Sequence, residues 1–260
     1  MAQRTKYEPG AFSWTDLNTT DQDAAKTFYA GLFGWTYFDA PVGDDVYYSM
    51  ASVGDKMVAA ISIQPQQQRD AGAPPAWNSY VTVQSADETL ARAAELGATV
   101  HAEAFDVMDA GRMGVVQDPQ GAWFLVWEPK QHIGAGLVNA PGAMSWNELG
   151  SPDPDGSAKF YGDLFGWETS PMEGSETPYL VIRTAAGNTN GGIRPPAPPG
   201  TPPFWLVYFA TDDLDATLAK VSEQGGNVLV GSTDIGIAKI AVAQDPQGAV
   251  FALYAGHLDD

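Results

Sequence analysis

The chain has 260 residues, with 13 basic and 32 acidic side chains, a net charge of −19 and no cysteine. That acidity repels nucleic acid and anionic membrane surfaces and otherwise serves solubility, and the missing thiols exclude disulfides and thiolate chemistry. A composition 44% hydrophobic and 11% aromatic is that of a globular chain with a core.

The opening MAQRTKYEPGAFSW lacks the apolar stretch of a secretory signal. No apolar run reaches membrane-span length, so a cytoplasmic protein is expected. Residues 1–10 read as a polar lead-in, and the alternation over 11–17 predicts a strand. Thr20 is placed as the cap of the next helix, with Asp21 and Asp23 in its first turn. Ala25, Phe28, Tyr29 and Leu32 recur at helical spacing as its buried stripe, and Gly34 ends it. Strands over 36–38, 46–52 and 57–63 complete a β-α-β-β-β unit. Residues 64–76, rich in Gln, Pro and Gly, form a linker.

A second unit of the same shape follows: a strand over 79–83, a helix over 87–96 closed by Gly97, and strands near 99–101, 114–117 and 122–127. Residues 129–142 lead into the second half. There the pattern predicts a helix over 155–165, strands over 179–184 and 191–194, a proline-rich linker over 195–203, a strand over 205–210, a helix over 213–224 and closing strands up to Tyr254. The halves share words as well as shape. FYAGLFGW at 28–35 returns as FYGDLFGW 132 positions later, SWTDL at 13–17 returns as SWNEL at the same offset, and DPQGA at 118–122 returns 127 positions later. One module is written twice. The expected class is α+β, with modules over 11–130 and 142–257. Each is built of two β-α-β-β-β units that form a curled open sheet with helices outside.

A strand, an acidic turn, a helix ending in FYxxLFGW, and DPQGA before a last strand, twice in order, resemble the vicinal oxygen chelate superfamily of glyoxalases, bleomycin-resistance proteins and extradiol dioxygenases. The resemblance covers 11–127 and 143–254, and the paired pattern is similar to a two-module actinobacterial antigen or "hydroxylase"-labelled group. It implies a divalent metal held by four side chains, typically His, Glu or Gln, on the first and last strands of the units. Carried over by spacing, the first-strand positions are Trp14 and Trp146, those of the second units Asn78 and Leu206, and the last-strand positions Leu125 and Ala252. Only Asn78 has a donor atom, and an amide is a poor ligand for a transition metal. No His or Glu lies between Tyr37 and Trp77 to fill the remaining position. The resemblance therefore implies the fold and not the metal, and neither metal nor other cofactor is expected. His101, His132 and His257, at strand starts or in tails, are read as surface residues.

Strand period two then decides what shares a face. The first cleft should hold Trp14, Asp16, Asn78, Tyr80, Trp123 and Trp127, and the second Trp146, Glu148, Leu206, Tyr208, Val250 and Tyr254. Aromatic walls with one carboxylate each suit a small-molecule ligand. Asp16 and Glu148 are the candidate catalytic residues, since burial raises a carboxyl pKa toward acid–base duty. The alternative role, of equal weight, is to hydrogen-bond backbone groups inside the barrel. The tryptophans line the site or fill the core, and the Tyr80 and Tyr208 phenols need partners that the carboxylates could supply. Arg112 and Arg194 could reach a cleft and bind an acidic group, a solvated surface role being the plainer reading. Three functions stay open. One is a metal-free enzyme of lyase, isomerase or hydroxylase type acting on a small aromatic or carbonyl metabolite. Another is a drug- or metabolite-sequestering resistance protein, and the third a metal-dependent glyoxalase-like aldehyde detoxifier. The partner is a small molecule, and the chain is a monomer (an internal pseudo-dimer) or a homodimer. The first cleft, richer in aromatics, is placed ahead of the second.

Overall fold

The computed structural model describes residues 2–43, 46–174 and 177–258. The chain opens with β1 (Ala2–Gln3). The first half runs β2 (Phe12–Thr19), α1 (Gln22–Phe33), β3 (Thr36–Gly43), β4 (Val46–Val53), β5 (Lys56–Ile63), α2 (Gln66–Asp70), β6 (Ala76–Thr82), α3 (Ala86–Glu95), β7 (Thr99–Val107), β8 (Gly111–Gln117) and β9 (Trp123–Pro129). After β10 (Leu137–Val138), the second half runs β11 (Met144–Gly150), α4 (Pro154–Phe165), β12 (Glu168–Pro171), β13 (Leu180–Arg183), β14 (Thr189–Arg194), β15 (Phe204–Ala210), α5 (Leu214–Glu223), β16 (Asn227–Asp234), β17 (Ala238–Gln244) and β18 (Val250–Gly256).

Each half forms one open eight-stranded sheet, in the orders β3-β4-β5-β2-β6-β9-β8-β7 and β12-β13-β14-β11-β15-β18-β17-β16. Within a unit the first and last strands lie parallel, as β2 with β5 and β6 with β9. A parallel pair needs a crossover, and the helix with its two following strands supplies one. The two units of a half meet through antiparallel pairs, β2 with β6 and β11 with β15. The tandem architecture is thus the expected one, with local corrections. Asp21, not Thr20, caps α1, its carboxylate accepting from the Ala24 N–H; the shorter Thr20 side chain stands one residue too early. The polar lead-in contains β1, which pairs with β10 of the linker between halves. The 64–76 linker contains α2, and β12 has no counterpart in the expected elements. Tyr179 precedes β13 rather than starting it.

The α1 stripe of Ala25, Phe28, Tyr29 and Leu32 is buried, and much of what covers it comes from the other half. Phe28 and Tyr29 meet Phe251 at ring distances of 6.2 and 5.5 Å, and Phe33 meets Phe209 at 5.2 Å. Each such ring contributes about 1.5–3 kcal/mol on burial. The polar contacts are reciprocal. Tyr29 donates to Asp245 (3.0 Å), and Tyr161 donates to Asp118 (2.9 Å). Trp35 donates to the Gly142 carbonyl and Trp167 to the Gly10 carbonyl, both at 2.7 Å. The FYxxLFGW helix of each half is therefore clamped to the DPQGA turn of the other. No helix among the described residues is long and apolar enough to cross a membrane.

Candidate functional site

The sheet faces turned away from that interface carry the two carboxylates. In β2 the register shifts between Phe12 and Trp14 and is regular from Trp14 onward, placing Trp14 opposite Tyr80 and Asp16 opposite Asn78. The irregularity thus falls one step before the stretch whose i, i+2 geometry matters, and Trp14 and Asp16 share a face. Asp16 is 4% exposed. Its Oδ2 accepts from Tyr80 (2.7 Å) and Tyr48 (2.9 Å), and its Oδ1 accepts from Asn78 Nδ2 (2.8 Å). Trp14 Nε1 donates to the Tyr48 hydroxyl at 2.8 Å. Burial pushes the Asp16 pKa up, against the pull of the Asn78, Tyr80 and Tyr48 hydrogen bonds.

The linker closes this first cleft. His132 sets its ring edge-on against Trp14, with centroids 4.5 Å apart, and its carbonyl accepts from Trp127 Nε1 at 2.8 Å. The segment is tied down by Ala135 N–H to the Ser13 carbonyl (2.7 Å) and by the Tyr7 hydroxyl to the Ala135 carbonyl (2.7 Å). Gly134, at φ 110°, passes so close to the Ser13 carbonyl that a Cβ would collide with it. His132 is therefore not the surface residue its place in a linker suggested. Its Nε2 is buried without a hydrogen-bond partner, and burial lowers its pKa to about 4.

The second cleft repeats the plan with different chemistry. Glu148 is 5% exposed and accepts from Arg194 Nε at 2.5 Å. Trp146 Nε1 donates to the Tyr179 hydroxyl at 2.9 Å, as Trp14 does to Tyr48. Burial first, and the Glu148 charge second, hold the Tyr208 and Tyr179 phenols above their usual range. Tyr179 lies against Gly192, where a Cβ would occupy the phenol's place. The apolar wall is a cluster separate from the main core: Leu206, Tyr208 and Ala252 are buried, with Trp146, Val250 and Tyr254 packed half-buried around them. Asp16 thus faces three neutral donors under a stopper, whereas Glu148 faces a cation in a cleft where Trp146, Tyr179 and Tyr254 are half-buried. The Tyr254 hydroxyl, at the place Trp127 holds in the first half, donates to the His257 carbonyl at 3.0 Å.

The expected residues Trp14, Asp16, Asn78, Tyr80 and Trp127 lie together in the first cleft, and Trp146, Glu148, Leu206, Tyr208, Val250 and Tyr254 in the second. Trp123 does not join its cluster. It is 47% exposed and stacks on His101 at 4.0 Å, because it starts β9 at the sheet's rim. Arg112 pairs at the surface with Asp87 (2.7 Å) and Asp106 (3.5 Å) and reaches no cleft. Sequence reasoning missed Tyr48 and Tyr179. The signal was available, since the two stand 131 positions apart, within one residue of the repeat offset.

The fold implies a divalent metal, and the donor set does not fit one. Among the described residues no group of three or more His, Cys, Asp or Glu side chains converges. Each carboxylate instead stands among indole, phenol, amide or guanidinium groups, a poor donor set for a transition metal. Two open cavities, of about 420 Å³ beside Phe33 and Lys220 and about 330 Å³ beside Leu90 and Arg112, lie apart from both carboxylates.

The sequence profile of the Glyoxalase/Bleomycin resistance protein/Dioxygenase superfamily matches residues 11–126 and 143–253. CFP32 of Mycobacterium bovis, which bears the name glyoxylase, is 43% identical over 256 residues, covering 97% of each chain. The anthracycline biosynthesis protein DauV of Streptomyces sp. (strain C5) is 32% identical over 269 residues, covering 96% of this chain and 94% of its own. A Mn(II)-bound glyoxalase from Novosphingobium aromaticivorans superimposes with a TM-score of 0.66 at 18% identity, covering 95% of this chain and 82% of its own, a likeness of fold.

Proposed function

The chain belongs to the Glyoxalase/Bleomycin resistance protein/Dioxygenase superfamily, and from that premise we propose that it binds a small planar aromatic or carbonyl metabolite in the second cleft without a metal, with Glu148 as proton acceptor. The observation that carries this reading is the Glu148–Arg194 pair set among Trp146, Tyr179 and Tyr208, a polar anchor inside aromatic walls. Few polar groups in an apolar cleft are the usual design of a small-molecule site. In the pair only the carboxylate can accept a proton. With an enolisable ketone bound, Glu148 would take the α-proton, a tyrosine hydroxyl would hydrogen-bond the enolate oxygen, and delivery of the proton to a different carbon of the conjugated enolate would complete an isomerase-type step. The relatives named for anthracycline biosynthesis support the ligand class, because anthracyclines are fused aromatic rings bearing ketone and phenol oxygens. On this reading Asp16 pins the three donors of the stoppered first cleft.

The second reading, sequestration, uses the same walls and breaks no bond. One experiment separates the two: incubate the protein with 2-acetylnaphthalene in D₂O and follow deuterium entry at the methyl group by NMR. Exchange above background that is lost in Glu148→Gln supports proton transfer. Binding without exchange supports sequestration.

A further inference from the structure

Among the described residues Arg194 is the cation that meets a cleft carboxylate. We infer that Arg194 is a ligand-recognition residue and that the second cleft selects planar aromatic ligands bearing an anionic oxygen, such as a carboxylate or phenolate. The inference rests on the binding-site reading above and names the ligand class of that site.

A guanidinium carries five N–H donors in a rigid fork. Arg194 gives Nε to Glu148 and Nη1 to the Pro195 carbonyl (3.2 Å), and its Nη2 has no hydrogen bond among the described residues. The Arg194 side chain is 25% exposed and that of Glu148 only 7%, so the cation is the solvent-side member of the pair and the one an entering ligand meets first. Its charge also acts on the Tyr208 and Tyr179 phenols, which places it beside the aromatic walls.

The plainer account is that Arg194 merely satisfies a buried carboxylate across β11 and β14. The first half argues against it. There Asp16 is satisfied by two phenols and one amide, and Ser62 holds the position equivalent to Arg194. Neutral donors are enough to seat a cleft carboxylate in this fold, and Glu148 has the Tyr179 and Tyr208 phenols beside it, so the guanidinium charge is surplus to that task. Glu148 instead aims the fork. The net charge of −19 opposes anions at a distance. At about 0.15 M salt that repulsion is screened beyond about 8 Å, and the contact charge decides.

The test is calorimetric titration of the intact protein with 2-naphthoate and with 2-acetylnaphthalene, a neutral probe of similar shape, at neutral pH. Arg194→Gln should weaken 2-naphthoate about tenfold and leave 2-acetylnaphthalene within about twofold. Glu148→Gln should tighten 2-naphthoate, since it removes the competing charge. The double variant Glu148→Gln/Arg194→Gln keeps an amide pair in place of the ion pair and should show the same lost preference, which covers the case of Arg194→Gln folding poorly. An unchanged ratio of the two affinities in both Arg194 variants, with Trp146→Ala weakening both probes, would overturn the role of Arg194 and leave the binding site standing. Indifference of both probes to Trp146→Ala would remove the site itself, and the inference with it.

Discussion

Asp16 and Glu148 show how two equivalent carboxylates acquire different work from single neighbours. Asp16 is satisfied by neutral donors, and the structure says how Asp16→Asn will behave. The new amide oxygen can keep Tyr48 and Tyr80, while Asn78 turns its own oxygen toward the new NH₂ group. All three hydrogen bonds survive and a buried charge is gone, so thermal or urea unfolding should show a loss of about 1 kcal/mol or less. Asp16→Leu strands three donors and should cost about 3 kcal/mol or more. The sign with pH follows from the raised folded-state pKa. Between the unfolded and folded values the native state binds the proton more tightly, so stability falls as pH rises through that window, and Asp16→Asn should flatten the fall. His132 has the opposite sign. Its pKa drops from 6.5 to about 4 on folding, so the unfolded state takes up more protons and stability falls as pH drops from about 6.5 to 4, by up to about 3 kcal/mol. His132→Phe keeps a ring against Trp14 and should remove that slope at no loss near pH 7; an unaltered slope in urea unfolding from pH 7 to 4 would place the titration elsewhere. At this scale strand period two made the cleft faces legible. The identity of the donors was not, because Tyr48 and Tyr179 come from neighbouring segments whose approach depends on sheet curl, and the His132 stopper depends on the path of a linker.

Among the elements, the two repeated words have a cause that spacing within one half could not reveal. FYxxLFGW reads as an amphipathic helix closed by glycine, and so it is: Gly34 and Gly166 both take φ 71° at the C-cap. What the stripe packs against is the other half. The Asp of each DPQGA turn sits in a nest of backbone N–H groups, Asp245 accepting from Gln247, Gly248 and Ala249. The opposite tyrosine then donates to its remaining oxygen, and Trp77 or Trp205 donates to that tyrosine at 2.9 Å. Tyr29→Phe would leave the Trp77 indole N–H unpaired and Asp245 short of a donor. Urea unfolding should show a loss of about 2 kcal/mol, and Tyr161→Phe should match it. Because the two sites are separate, the double variant should lose the sum.

For the whole molecule, the reciprocal clamp means that neither half owns its core. Phe33, Trp35, Trp77, Phe209 and Phe251 form one aromatic cluster drawn from both halves, and Phe12, Phe124, Tyr161, Trp167 and Trp205 form its mirror. Unfolding should therefore be a single transition by fluorescence and by circular dichroism; two resolved transitions would show that the halves are independent. Duplication was plain in the sequence, but the division of labour was not. The aromatic count placed the first cleft ahead, whereas the closed linker over Trp14 and the half-buried walls around Glu148 favour the second. The central claim is that the second cleft is the one that takes a ligand. It is tested most directly by titrating 2-naphthoate into ¹⁵N-labelled protein and following the indole N–H signals of the eight tryptophans, assigned by Trp→Phe variants. The Trp146 signal should move with ligand concentration while the Trp14 signal stays in place. Movement of Trp14 with Trp146 unmoved would contradict the account.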